Sequence, residues 1–150
     1  MKLKVPPVVV FLISGCLMVV IHYLSHDWSV GLIKIKALAF ALFGAGVAIG
    51  LAGVYEFWKQ KTTVDPTKPE KASSIVTSGI YQYTRNPMYL GMAVGLLGGV
   101  FYTGNFMIIG GVLFFMWYMT TFQIKPEEEI LKAHFGEPYR HYLHEVRRWL

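Results

Sequence analysis

Long apolar runs without formal charge are the feature that most restricts the fold of this 150-residue chain. No Asp, Glu, Lys or Arg interrupts residues 5–24, 37–55 or 86–124, which are 20, 19 and 39 residues long. A helix rises about 1.5 Å per residue, so about 20 residues cross a hydrocarbon core of roughly 30 Å. Because backbone groups in lipid must pair within their own segment, these runs are predicted to form transmembrane helices.

The third run is too long for one crossing, and it contains the turn signal Thr103-Gly104-Asn105. We therefore interpret it as a helical hairpin. The sequence predicts an all-α integral membrane protein with four transmembrane helices, two single spans and the hairpin, followed by an interfacial amphipathic helix pair. The chain is then a single membrane domain over 1–150, with spans at about 5–24, 36–58, 87–101 and 106–124, a cytoplasmic loop at 59–86 and a cytoplasmic tail at 125–150.

The composition excludes several other classes of protein. Hydrophobic residues make up 54% of the chain and charged residues only 15%, whereas a soluble domain carries about 25% charge. Disorder, a coiled coil and most soluble enzyme folds are therefore excluded. Cys16 is the single cysteine, which rules out a disulfide framework and a cysteine-based zinc site. His141 and His144 share a helix face, but no third ligand has a suitable spacing, and we expect no metal site.

The basic residues fix the predicted orientation. Twelve of the 14 lysines and arginines fall on one side of the four-span arrangement, and only Lys34 and Lys36 fall on the other. Because positive charge collects on the cytoplasmic side, both termini and the central loop are expected in the cytoplasm. The net charge of +5 comes from short clusters between apolar runs, so topology explains it better than nucleic-acid binding. We expect a multi-pass protein of a bacterial inner membrane.

Two sets of glycines lie inside the apolar runs. The run 44–50 has the spacing of a dinucleotide-binding loop, but such a loop needs a preceding strand and a βαβ unit. Close packing between helices is the better interpretation of these small residues. On the third span, Gly91, Gly95 and Gly99 form a similar smooth face, which indicates close helix contact or, alternatively, room for a ligand.

The segment 77–91 gathers polar and aromatic residues where the central loop meets the third span. Pro87 suits the first turn of a helix, where a missing N–H costs nothing, and Asn86 can cap that helix. The exposed N–H groups and the helix dipole favour an anionic group there. An interfacial helix start with aromatic anchors explains the same residues without a ligand, and both interpretations stay open on these residues alone.

The tail from residue 125 carries a second group of charged residues. Pro126, Glu127 and Glu128 open a helix with acids in its first turn, an arrangement that the helix dipole favours. Gly136 ends this helix and a second amphipathic stretch follows, so we expect two helices on the membrane surface. A solvated helix start is the alternative interpretation of the acids.

Together these two segments carry a family signature. The first contains the run Arg85-Asn86-Pro87-Met88-Tyr89-Leu90-Gly91. The second contains Glu127, Glu128, Leu131, Phe135, Gly136, Tyr139, Tyr142, Val146, Arg148 and Trp149. In this order, around a hairpin, they resemble the isoprenylcysteine carboxyl methyltransferase and phospholipid methyltransferase superfamily of integral membrane methyltransferases. The resemblance covers about residues 77–149.

The resemblance implies a methyltransferase that uses S-adenosylmethionine and releases S-adenosylhomocysteine, with the cofactor in a cytoplasmic pocket between the hairpin and the tail helix. Such a transfer mainly needs nucleophile, methyl and sulfur aligned at about 3 Å. Carried over by position, the implied catalytic residues are Arg85, Asn86 and Arg148. The implied cofactor-binding residues are Asn86, Pro87, Tyr89, Leu90, Gly91, Glu127, Glu128 and Tyr139. By this resemblance the glutamates would hold the cofactor's amino group by charge-assisted hydrogen bonds or orient its ribose.

The methyl acceptor is expected to be a membrane lipid or a lipid-modified molecule. Asn86 stands where the isoprenylcysteine branch has His, which is more like the phospholipid N-methyltransferase branch. The tail is more like the isoprenylcysteine branch, although Arg147 replaces the usual Pro. Neither Asn86 nor a guanidinium is a good base for an amine, which favours an anionic or thiolate acceptor. A phospholipid amine N-methyltransferase and a small non-enzymatic membrane scaffold remain alternatives, whereas spans with so few ionisable residues disfavour a transporter.

Overall fold

The computed structural model describes residues 5–25, 34–60 and 74–150 of the chain. Six α-helices account for most of these residues: α1 (Pro7–Leu24), α2 (Lys36–Lys59), α3 (Pro87–Thr103), α4 (Ile109–Tyr118), α5 (Lys125–Phe135) and α6 (Glu137–Glu145). Short 3-10 turns lie at Gly79–Gln82 and Phe106–Ile108, and a π-helical turn at Met119–Ile124 joins α4 to α5. The described part of the chain contains no strand, so the predicted all-α class is confirmed there.

Among the described residues, three helical segments are long and apolar enough to cross a membrane: Pro7–Leu24, Lys36–Lys59 and Phe106–Phe135. The apolar helix α3 is shorter, with 17 residues. The chain is therefore an integral membrane protein, whereas the fourth crossing and the surface position of the tail stay predictions. Part of the charge pattern behind the predicted orientation, including Lys2 and Lys4, lies outside the described residues.

Helices α2 and α3 approach each other closely through glycine. A Cβ atom on Gly46 would meet the carbonyl oxygen of Gly91 and would lie 2.9 Å from the backbone nitrogen of Gly95. A Cβ on Gly91 would meet the carbonyl oxygen of Gly46 in turn. The small residues thus allow close helix packing, as predicted for the run 44–50. The idea that this face of the third span leaves room for a ligand is wrong at Gly91, because α2 fills the space.

Helices α1 and α4 form a second pair. A Cβ on Gly111 would lie 3.0 Å from the carbonyl oxygen of Ser14, and the rings of Phe11 and Phe115 meet edge to face at 6.3 Å. Phe115 and Met119 are fully buried, and with residues of α3 they form the apolar core. The core therefore lies between α1, α3 and α4.

The chain turns at the predicted position between α3 and α4. Helix α3 ends at Thr103, and Gly104 follows with a φ of 68°, a conformation that favours glycine. The Asn105 side chain accepts a hydrogen bond from the Met107 N–H at 2.9 Å and donates one to Ser25 Oγ at 2.9 Å. These contacts cap the next helical turn and connect it to the end of α1.

The start of α5 differs from the expected free helix end. Glu127 and Glu128 do lie in the first turn of α5, but Ile124 and Lys125 before them are already helical, because α5 continues directly from the π turn. Pro126 has no N–H to donate to the preceding turn, and a π turn is a known way to accommodate such an interruption. The predicted helix start with Pro126 and the acids in its first turn is confirmed, whereas the alternative of a solvated start does not hold for Glu128, which is buried.

Candidate functional site

The residues before α3, the first turn of α5 and the end of the tail meet in one cluster. The Arg85 N–H donates to the Arg147 carbonyl at 3.0 Å, so the tail crosses the chain just before α3. The Asn86 side-chain amide donates to the Arg148 carbonyl at 2.9 Å. Segments that are about 60 residues apart in sequence are thereby joined by backbone contacts as well as side chains.

Glu128 is the centre of this cluster. One carboxylate oxygen accepts from Arg85 Nη2 at 2.9 Å and from Arg148 Nε at 3.0 Å, and the other accepts from Arg148 Nη2 at 2.7 Å. Glu128 is only 6% exposed. These hydrogen bonds raise the pKa of the Arg148 guanidinium above its usual value, so it stays charged. Both oxygens of Glu128 thus accept hydrogen bonds from the protein itself, and its predicted role in cofactor binding stays a prediction.

Arg85 also holds the end of α6. Its Nη1 atom donates to the carbonyl oxygens of Leu143 at 2.8 Å and Val146 at 2.6 Å. These carbonyls belong to the last turn of α6 and the residue after it, where helical acceptors lack partners. Arg85 therefore links three parts of the chain, and its buried Nε atom has no hydrogen-bond partner among the described residues.

Asn86 occupies the position before α3 but does not cap it. Helix α3 begins at Pro87 as predicted, yet the Asn86 side chain makes no capping hydrogen bond. Its amide faces the tail instead, as described above. The tail is further fixed by the Trp149 indole N–H, which donates to Thr120 Oγ1 at 3.0 Å. The expected capping role of Asn86 is thus replaced by a contact with the tail.

Glu127 points to a different set of partners. Its Oε1 atom accepts from the Tyr89 hydroxyl at 2.9 Å and from Gln123 Nε2 at 2.8 Å. Gln123 was not predicted, although it lies four residues before Glu127 on the same helical face. The groups that donate to Glu127 Oε1 are neutral, whereas those that donate to Glu128 are guanidinium groups.

Three tyrosines surround this part of the cluster. Tyr81, Tyr139 and Tyr142 are all buried. The Tyr142 hydroxyl donates to the Tyr81 carbonyl at 2.7 Å, and the Tyr139 and Tyr142 rings lie 6.1 Å apart. Burial raises the pKa of each hydroxyl above its usual value, so all three stay neutral. Tyr139 was predicted for this site, whereas Tyr81 was not.

A second buried carboxylate, also not predicted, comes from α2. Glu56 is 8% exposed and accepts a hydrogen bond from Ser78 Oγ at 2.5 Å. Gly79 follows with a φ of 58°, and a Cβ there would lie 2.6 Å from the Glu56 carboxyl carbon. The one available signal was that Glu56 is the lone acidic residue of its apolar segment.

The structure brings most of the predicted site residues together, but not all. Arg85, Asn86, Tyr89, Glu127, Glu128, Tyr139 and Arg148 lie in the cluster or next to it. Pro87 and Gly91 face α2 instead, because a Cβ on Gly53 would lie 2.9 Å from the Pro87 ring and Gly91 meets Gly46. Leu90 is buried in α3. The roles of all these residues in binding or catalysis remain predictions.

An open groove of about 450 Å³ lies beside Tyr142, between residues 77–82 and α6. None of the residues predicted to bind a cofactor lines this groove. In the described ranges, no group of three or more His, Cys, Asp or Glu side chains is arranged to hold a metal ion.

Fold and cluster together define a helical integral membrane protein whose polar site is built from the start of α3, the start of α5 and the C-terminal tail. The family model for phospholipid methyltransferases matches residues 33–138. The chain belongs to this methyltransferase family, and the superfamily resemblance drawn from the two motifs is confirmed.

Two relatives match parts of the chain. An uncharacterized protein of Haemophilus influenzae is 41% identical over 63 residues, which is 42% of this chain and the whole of that protein. A protein-S-isoprenylcysteine O-methyltransferase of Schizosaccharomyces pombe is 35% identical over 82 residues, which is 53% of this chain and 34% of the yeast protein. The match thus spans about a third of the yeast enzyme. No solved structure matches the chain significantly.

Proposed function

We propose that this protein is an S-adenosylmethionine-dependent membrane methyltransferase, similar to isoprenylcysteine carboxyl methyltransferases, that acts on a lipidic or lipid-anchored acceptor. Family membership supports methyl transfer. The observation that carries the proposal is the docked tail, held by the contacts of Arg85 and Arg148 with Glu128. Docking gathers the motif residues of both segments at one place, although the hairpin separates them in sequence.

The cluster has a feature that suits a cationic cofactor. Glu127 accepts hydrogen bonds from the neutral groups of Tyr89 and Gln123, and the buried Tyr81 hydroxyl, on which the charge of Glu127 acts, has no partner among the described residues. Buried polar groups are normally satisfied, so unsatisfied ones favour a bound ligand. We assign Glu127 to the ammonium group of S-adenosylmethionine, through a charge-assisted hydrogen bond. The cofactor, when bound, supplies an electrophilic methyl group, and the protein's part is to orient it and the acceptor.

Glu128 receives a different role in this proposal. With both oxygens bound by guanidinium groups, it is a positioning residue that keeps the tail docked. Arg85, whose side chain is 10% exposed, shares that role. The Arg148 side chain is 31% exposed and is the better candidate to contact an anionic acceptor such as a carboxylate. Asn86, through its contact with the tail, supports Arg148.

A phospholipid amine N-methyltransferase is the second candidate function. The description of the matching family favours it, and the Glu127 carboxylate can accept the proton that an amine must lose. The name of the yeast relative favours the first candidate. The buried contacts of the tail argue against the third alternative, a scaffold whose tail is only a lipid anchor, because such a tail needs no ion pairs with α5.

The cofactor assignment is tested by titrating the purified protein with S-adenosylhomocysteine in an isothermal calorimeter. Glu127→Gln keeps an oxygen for Tyr89 and Gln123 but removes the charge, so we expect at least tenfold weaker binding, or about 1.4 kcal/mol. The matched control is Glu129→Gln, because Glu129 is exposed and pairs with Lys132 at the surface. A wild-type protein that binds no S-adenosylhomocysteine would contradict the proposal. Equal binding by the Glu127 variant would contradict the site assignment alone.

The acceptor is identified by incubating the protein with total membranes and a cofactor that carries a radiolabelled methyl group. For a carboxyl acceptor we expect label in the lipid or lipid-modified fraction that base releases, because methyl esters hydrolyse in base. Label that resists base would favour the phospholipid amine instead. Incorporation of label into soluble molecules only would contradict both candidates.

We also propose the complete membrane arrangement. Helix α3 makes the fourth crossing, α5 and α6 lie at the membrane surface, and both termini and the loop 59–86 face the cytoplasm of a bacterial cell as one domain. The concentration of lysine and arginine on one side supports this orientation. The exposed side chains of Arg140, His141 and His144 on α6 support its position near lipid headgroups.

A further inference from the structure

The Tyr81 hydroxyl is an unexplained polar group in the described part of the chain. Tyr81 is 4% exposed, and its hydroxyl oxygen has no hydrogen-bond partner among the described residues. Most buried polar groups are paired, because an unpaired one loses its hydrogen bonds to water without replacement. A single unpaired hydroxyl next to a candidate ligand site therefore calls for a specific explanation.

The surroundings of Tyr81 are aromatic and acidic. Its ring meets Phe57 edge to face at 5.4 Å, and the charges of Glu56 and Glu127 act on its hydroxyl. Burial and these neighbours raise the pKa of Tyr81, so the hydroxyl keeps its proton. A neutral hydroxyl on which two carboxylates act, carried by a ring that packs against Phe57, suits a cationic group, because carboxylates and aromatic rings both attract cations.

The backbone that carries Tyr81 is fixed from two sides. The Tyr142 hydroxyl donates to the Tyr81 carbonyl, and the Tyr81 N–H donates to the Ser78 carbonyl at 3.1 Å. Ser78 itself donates to the buried Glu56, and Gln60 Nε2 donates to Ser78 Oγ at 3.0 Å. Helix α2 thus holds the turn before Tyr81, although α2 contributes no motif residue.

We propose that the Tyr81 hydroxyl contacts the ammonium group of the bound cofactor, together with Glu127, and that Glu56 is the positioning residue that holds Tyr81 there through Ser78. This inference rests on the proposed function. It extends the binding site to the turn before the first motif and to α2. It also explains why a buried hydroxyl has no partner in the part of the chain that the structure describes.

Tyr81→Phe is the decisive variant, because it removes only the hydroxyl. Since that hydroxyl has no hydrogen-bond partner among residues 5–25, 34–60 and 74–150, we expect the melting temperature without ligand to stay the same or rise. Affinity for S-adenosylhomocysteine should fall about five- to twentyfold. Tyr142→Phe is the matched control, because its hydroxyl does have a protein partner. That variant should lower the melting temperature without ligand.

An analogue of S-adenosylhomocysteine that lacks the amino group identifies the contact. If Tyr81 binds the ammonium group, wild-type protein and Tyr81→Phe should bind this analogue equally. Glu56→Gln should weaken binding of S-adenosylhomocysteine in the wild-type background and add little in the Tyr81→Phe background, because it acts through Tyr81. Full additivity of the two substitutions would overturn the positioning role of Glu56.

The results separate this inference from the proposed function. A wild-type protein that does not bind S-adenosylhomocysteine overturns both. If the wild type binds, equal affinity of Tyr81→Phe overturns only this inference. A Tyr81→Phe protein that is less stable without ligand, or does not fold, also overturns it, since the hydroxyl would then have a structural partner.

Discussion

Glu128→Gln should detach the C-terminal tail from the start of α3. The substitution removes the negative charge that faces two guanidinium groups, and it leaves at most one good acceptor for three hydrogen bonds of 2.7–3.0 Å. Removing one partner of a buried ion pair costs about 3–5 kcal/mol. Glu128 and Arg85 are nearly buried, but the Arg148 side chain is 31% exposed. Hydration of Arg148 therefore offsets part of the interaction energy that the substitution removes. We therefore expect the lower end, about 3 kcal/mol, which raises the detached fraction by about two orders of magnitude.

Amide hydrogen exchange at Arg85 measures this detachment directly. The Arg85 N–H donates to the Arg147 carbonyl, so it exchanges only when the tail opens locally. Exchange at Arg85 should become about a hundredfold faster in Glu128→Gln. Glu129→Gln provides the matched control on the same helix, because its ion pair is exposed and such pairs contribute about 0–1 kcal/mol. If both variants exchange at the same rate, the ion-pair network does not hold the tail.

Two further predictions concern the helix contact and the tyrosines. Gly46→Ala should lower the melting temperature, because its Cβ would meet the backbone of Gly91 and such overpacking costs about 1–3 kcal/mol; Gly44→Ala, with nothing near its Cβ, should not. Raising the pH above about 10 should destabilise the protein, because unfolded tyrosines ionise there while burial keeps Tyr139 and Tyr142 protonated. The free energy of unfolding falls by at most about 1.4 kcal/mol per pH unit for each tyrosine. Melting temperatures recorded between about pH 9 and pH 11 measure this decline.

The controls for these two predictions are internal to the chain. An equal loss of stability in the two glycine variants would show that α2 and α3 do not meet at Gly46. For the pH prediction, Tyr142→Phe should reduce the decline, whereas Tyr83→Phe should not, because Tyr83 is 71% exposed. An unchanged decline in Tyr142→Phe would contradict the argument from burial.

Much of the fold could be predicted because it depends on local chemistry. The start of α3 at Pro87 and the turn at Gly104 follow from residues with strong positional preferences. The pairing of α2 with α3, and of α1 with α4, could not be derived, since glycines indicate a close contact but not its partner. The π turn at Met119–Ile124 was missed for a similar reason, because no local pattern distinguishes it from an ordinary helix.

The candidate site shows the same limit at the level of single residues. The motifs identified the residues that cluster, but they treated Glu127 and Glu128 as an equivalent pair. Successive residues of a helix point about 100° apart, so the two carboxylates must face different surroundings. Which of them meets Arg85 and Arg148 depends on the path of the tail, which no local pattern determines. Glu56 was missed because it reaches the cluster only through the packing of α2.

Docking of the tail and binding of a ligand at the cluster are thermodynamically linked. Tyr139 belongs to α6, which Arg85 holds at its end, whereas Glu127 belongs to α5. The two residues are therefore neighbours only while the tail is docked. A ligand that contacts both binds the docked form and stabilises it, and weaker docking lowers its affinity in return. If nearly all molecules have a docked tail, a loss of about 3 kcal/mol of docking free energy lowers the ligand affinity only in proportion to the fraction of molecules whose tail opens. The effect of Glu128→Gln on affinity thus depends on how strongly the tail of the wild-type protein favours the docked form. Substitution of a residue that touches the ligand instead lowers the affinity by the full free energy of the lost contact.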